Sequence, residues 1–83
     1  MTREEKLILL MEEAAEVIQA ASKCLRFGWL RDHPGYGVNN EVLAHEVGEL
    51  LGVVMSLGLD PDIMREARTW KMDRAEKIKY ELS

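Results

Sequence analysis

The chain predicts an all-α domain of three helices, and three observations predict it. Helix formers fill Thr2 to Phe27 without a Gly or Pro, capping residues recur where each helix should begin, and no run alternates apolar with polar residues as a half-buried strand would. With 83 residues there is room for one small domain spanning 1–83 and no second core. A protomer with so few helices and so much apolar surface is expected to complete its bundle by pairing with a copy of itself.

The first helix should run to Phe27 and stop at Gly28, with Thr2 as N-cap and Glu5 completing a capping box. Trp29 to Asn40, with Pro34, Gly35 and Gly37 and no periodic pattern, reads as a loop of a length that is often functional. Asn39 or Asn40 should cap a second helix reaching about Leu57, before Gly58. Asp60-Pro61 should then open a third helix continuing nearly to Ser83.

Charge and cysteine content exclude several classes. The net charge is −4, but residues 31–62 carry one basic and six acidic side chains, whereas residues 63–83 carry six basic and four acidic. Between Arg31 and Arg65 there is no Lys or Arg, so the continuous basic face that a nucleic acid polymer requires is missing. Cys24 is the only cysteine, which rules out an internal disulfide and a thiolate zinc site and points to the cytoplasm. The early apolar run, Leu7 to Met11, is too short and too closely flanked by charge for a signal peptide or a membrane span.

On a helical projection Leu7, Leu10, Met11, Ala14, Val17, Ile18, Ala21 and Leu25 form one broad stripe, expected to be core. Glu13 and Glu16 lie off that stripe on a strip shared with Leu9, Ala20 and Phe27, so the first helix should be sandwiched between neighbours. Apolar residues cover most of the second helix, and Glu46 and Glu49 project among Val42, Leu50 and Val53. Inward carboxylates on a helix without Lys or Arg need a counter-charge. Either a basic residue elsewhere supplies it, or Glu13, Glu16, Glu46 and Glu49 form one oxygen-rich metal site. Such a donor set suits Mg²⁺, or Mn²⁺, better than zinc or copper. His45, one turn before Glu49, reads as an orienting or surface histidine, and Gly48 and Gly52 as sites of close helix approach.

Glu12-Glu13-Ala14-Ala15-Glu16-Val17, followed by Glu46-Val47-Gly48-Glu49-Leu50-Leu51, resembles the Glu-Glu-x-x-Glu … Glu-x-x-Asp signature of the MazG-like all-α nucleoside triphosphate pyrophosphohydrolases. Ser22 to Gly28 also resembles small phage and bacterial members, and the likeness covers roughly residues 5 to 57. It implies Mg²⁺-dependent hydrolysis of a (deoxy)nucleoside triphosphate to its monophosphate and pyrophosphate, by a homodimer or homotetramer. The four glutamates would then be the catalytic and metal-holding set. Glu49 stands where the family usually has Asp. The alternative from another class is a helical interaction module without catalysis, whose Glu46 and Glu49 would be neutralised by its own basic residues.

The third helix places Lys71 and Arg74 within the arc of Ile63, Ala67 and Trp70, so they are expected to face inward and either pair with Glu46 or Glu49 or grip phosphates. Lys23 and Arg26 are further phosphate candidates. Trp29, Asn39, Asn40, Phe27 and Tyr36 offer stacking surfaces and amides for base and sugar, although a Trp at a loop start also serves as a packing anchor.

Overall fold

A computed structural model describes residues 1–33 and 37–80. It is all-α, with α1 at Arg3–Phe27, α2 at Asn39–Ser56 and α3 at Pro61–Ala75. α1 starts as its sequence requires: the Thr2 hydroxyl accepts from the Glu5 N–H at 3.1 Å, and the Glu5 carboxylate accepts from the Thr2 N–H at 3.2 Å. It ends at Gly28, whose φ of 111° is a conformation L side chains rarely adopt. A Cβ at Gly28 would also meet the Arg31 side chain at 3.0 Å.

The connection to α2 departs from the irregular loop expected of it. Asp32–His33 (β1) and Gly37–Val38 (β2) form a two-residue antiparallel ladder, Asp32 opposite Val38 and His33 opposite Gly37. Strands this short carry no alternation for a sequence reading to detect.

Neither asparagine caps α2. Val38 occupies the N-cap without a side-chain bond, and Asn39 and Asn40 are the first two helical residues. Their side-chain amides reach back across the connection, Asn39 donating to the Gly28 carbonyl at 2.9 Å and Asn40 to the Trp29 carbonyl at 3.0 Å. Their backbone N–H groups donate to Arg31 and Trp29 carbonyls. The end of α1 and the start of α2 are thereby tied together, and Asn39 is 2% exposed as a result.

At the other end of the pair, Lys6 Nζ donates to the Ser56 carbonyl at 2.9 Å. α2 has no basic residue in its own last turn, so Lys6 of α1 satisfies a terminal carbonyl there and complements the helix dipole. With both ends tied, α1 and α2 lie antiparallel and in fixed register.

The face α1 turns to α2 takes in only one side of the stripe expected to be core. Ala20 is its buried residue, with Leu9, Glu13 and Cys24 half-buried around it together with Leu10, Ala14, Val17 and Ala21 of that stripe, while Leu7, Met11, Ile18 and Leu25 lie exposed. Gly48 and Gly52 have nothing within 4 Å of where a Cβ would stand, so the close helix approach expected at them does not occur within the protomer.

α3 is capped by Asp60, whose carboxylate accepts from the Asp62 and Ile63 N–H groups at 2.9 and 3.3 Å, and Pro61 opens it. It ends at Ala75, well short of Ser83, where Lys77 and Ile78 bond three residues back instead of four. Every residue of α3 is exposed. The inward face expected for Lys71 and Arg74 therefore does not exist within one chain. The radius of gyration is 15.1 Å, against about 12 Å for a compact chain of this length. Among the described residues, no helix is long and apolar enough to cross a membrane.

The Asn39 linkage predicts a stability effect. Asn39→Ala should lower unfolding free energy by about 1–3 kcal/mol, because it leaves the Gly28 carbonyl without its donor in a part-buried place. Asn40→Ala, at a more exposed bond, should cost less. Urea unfolding of the two variants beside wild type measures both.

Candidate functional site

Glu13 and Glu16 stand three positions apart on α1, and Glu46 and Glu49 three apart on α2, so each pair projects from one side of its helix. The antiparallel register set by Asn39, Asn40 and Lys6 brings the pairs together. One carboxylate oxygen from each of the four residues lies within 4.8 Å of the other three. Glu13 and Glu46 are half-buried between the helices, and Glu16 and Glu49 are exposed at the rim. Among the described residues, no other group of three or more His, Cys, Asp or Glu side chains converges in this way.

Among the described residues neither Lys nor Arg forms an ion pair with any of the four glutamates; His45 Nε2 meets Glu49 Oε1 at 2.5 Å, and Arg65 pairs with Asp62. The neutralisation by Lys71 or Arg74 that the sequence left open is not made. Glu13 Oε2 and Glu46 Oε2 are buried without a hydrogen-bond partner. His45 is an exposed residue that touches Glu49 from the flank.

Proximity and burial shift the titration of the two inner carboxyls upward. Glu13 is raised first by burial, then by the charge of Glu16, a hydrogen bond shared with Glu49, and the charges of Glu49 and Glu46. Glu46 is raised first by burial, then by a hydrogen bond shared with Glu16 and the charges of Glu16 and Glu49, with His45 acting in the opposite sense. Four negative groups in one place oppose their own ionisation.

The remaining candidates are dispersed. Lys23 is half-buried on α1, two turns beyond Glu16, and Arg26 is exposed with its guanidinium 5.0 Å from the Phe27 ring centre. Trp29 is exposed and Asn39 is buried with its amide occupied by Gly28, which makes Asn39 a structural residue here. Lys71 and Arg74 stand on the exposed α3, Arg74 over Trp70 at 4.6 Å. Tyr36 lies outside the described residues. Lys6 was absent from the sequence reading because nothing local marks a lysine as the donor to a carbonyl fifty residues away.

No protein-family model, curated protein or solved structure matches the chain.

The raised carboxyls set a pH dependence. Because Glu13 and Glu46 hold their protons more tightly when folded, their contribution to stability is full below the ordinary carboxylate range and is lost as pH rises through the raised values. In chelator, wild type should therefore lose melting temperature relative to Glu46→Gln between about pH 4 and about pH 7, with Glu46→Gln the more stable at neutral pH. Thermal melts of both proteins across that range measure it.

Proposed function

We propose that the protein is a divalent-metal-dependent hydrolase that cleaves a (deoxy)nucleoside triphosphate to its monophosphate and pyrophosphate. The observation that carries this reading is the meeting of four glutamates from two helices, with two buried oxygens lacking a partner and, among the described residues, no Lys or Arg paired with them. The resemblance of the two Glu-x-x-Glu segments to MazG-like pyrophosphohydrolases adds the reaction type.

The donors suit the ion. Four carboxylates are hard oxygen ligands, which Mg²⁺ and Mn²⁺ take in preference to softer metals. Glu13, Glu16, Glu46 and Glu49 would hold it. A bound Mg²⁺ supplies positive charge that offsets carboxylate and triphosphate repulsion, orients phosphate oxygens, and acidifies a water.

The chain's own groups do the rest. One of the four carboxylates, where it is not taken up by the ion, would accept the proton of an attacking water. Lys23 stands two turns along α1 from Glu16, about 10 Å away, within reach of a polyphosphate that starts at the glutamates. The exposed rings of Trp29 and Phe27 offer stacking faces for a base.

A second reading, a helical interaction module without catalysis, has its own support in the exposed apolar side chains of α1 and α2. Metal separates the two. For a hydrolase, Mg²⁺ at a hundred times its dissociation constant should add about 2.7 kcal/mol of stability, and melts with Mg²⁺ and with chelator should differ. An interaction module would melt identically in both.

A screen of standard and modified dNTPs with Mg²⁺, read as pyrophosphate release, tests the activity directly. Turnover should appear with at least one substrate and fall about a hundredfold or more in Glu46→Gln, since the amide keeps the shape and loses the ligand charge. Wild-type turnover in that variant would remove Glu46 from the mechanism. Glu49→Asp shortens the reach by one methylene and should raise the Mg²⁺ concentration needed for half-maximal rate. An unchanged Mg²⁺ curve would exclude Glu49 as a ligand.

A further inference from the structure

α3 is a well-capped helix with nothing packed against it. A helix of 15 residues is marginal in water unless an apolar face is covered, yet Ile63 is 66% exposed and Trp70 55%. Across the connection, α2 has an uncovered side of its own: Leu51 is 54% exposed and Met55 82%, with Ala44 and Gly48 exposed beside them. That side is centred about 180° around α2 from Glu46, away from both α1 and the glutamates.

The two uncovered sides match in spacing. On α2, Ala44, Gly48, Leu51 and Met55 stand four, three and four positions apart, and on α3, Ile63, Ala67, Trp70 and Arg74 repeat four, three and four, the a/d spacing of a two-helix seam. Folding the chain back so that Met55 meets Ile63 fixes every further pair: Leu51 on Ala67, Gly48 on Trp70 and Ala44 on Arg74. At the last three a large side chain meets a small one. Gly48, with nothing within 4 Å of where a Cβ would stand, leaves the room that the Trp70 ring requires. Continued one step, the same register brings Glu41 opposite Lys77, a pair of opposite charges.

The tether selects which α2 receives α3. Residues 57–60 alone join the two helices, a length usual between antiparallel helix neighbours. So short a link holds α3 near its own α2 at an effective concentration on the order of mM, which outweighs a second copy present at micromolar concentration. Gly58, whose φ is already 67°, is the residue able to take the change of direction. We infer that α3 folds back about Gly58 onto the outer side of α2 as an antiparallel hairpin, with Trp70 seated on Gly48. The chain then has a second, closed arrangement in which three helices lie side by side and the glutamate cluster stays uncovered.

Fluorescence reads the closure in a Trp29→Phe background, where Trp70 is the one tryptophan left. Its emission should be blue-shifted from that of free tryptophan and shielded from acrylamide. Gly48→Leu should abolish both effects while circular dichroism keeps the helical signal, because the leucine fills the place of the ring and meets nothing in the open arrangement. Emission and quenching like those of free tryptophan, or unchanged by Gly48→Leu, overturn the closed hairpin.

Cysteine pairs in a Cys24→Ser background read the register and the chain that supplies α2. Leu51→Cys with Ala67→Cys should oxidise within one chain and keep single-chain mass without reductant. Leu51→Cys with Arg68→Cys should oxidise far more slowly, since Arg68 stands about 100° around α3 from Ala67. Equal rates for the two pairs overturn the register, and a disulfide joining two chains overturns closure within one.

Discussion

The register between α1 and α2 is the constraint on which the glutamate cluster depends, and it is held at both ends of the helix pair. Asn39 and Asn40 fasten the start of α2 to the main chain beyond α1, and Lys6 fastens the start of α1 to the last turn of α2. Sliding one helix past the other by a turn, about 5.4 Å, would separate Glu13 and Glu16 from Glu46 and Glu49. Polar bonds hold the register because the apolar contact between the helices is thin: Ala20 is the buried apolar residue between them.

The cluster works against the fold that presents it. Burial and mutual repulsion raise Glu13 and Glu46, so at neutral pH the chain folds against an electrostatic cost that no Lys or Arg among the described residues relieves by an ion pair. A purely structural pair of helices would have apolar residues at Glu13 and Glu46, which sit half-buried at the centre of the contact. Local conflict of this sort, in a pattern otherwise consistent with three helices, marks positions where something other than stability dictates the residue.

Much of this was legible in the chain because its signals are local. Thr2 with Glu5, Gly28, and Asp60 with Pro61 mark the ends of α1 and the start of α3 through bonds to residues no more than four positions away. The two Glu-x-x-Glu spacings likewise placed each pair on one side of a helix. What could not be read was which edge of the apolar surface of α1 would face α2, since Leu7, Met11, Ile18 and Leu25 are larger than Ala20 and Cys24 and look the better core. The asparagines misled for a related reason: at a helix start an amide normally caps, and only the return of the chain past Gly28 and Trp29 offers it a different acceptor. Lys71 and Arg74 share an arc with Trp70 and Ile63, but an amphipathic arc specifies a packed face only when some element is there to meet it.

α3 meets none within its own chain, and this gives Gly58 an importance beyond ending a helix. With every residue of α3 exposed, the heading of the helix is set by the few dihedral angles between Leu57 and Asp60, among them the positive φ of 67° at Gly58. Fifteen residues of helix make a rigid arm of about 22 Å, so a turn of about 20° at that pivot carries its far end, with Lys71 and Arg74, through about 8 Å. Where those two cations stand relative to the glutamates is thus a matter of leverage at one glycine.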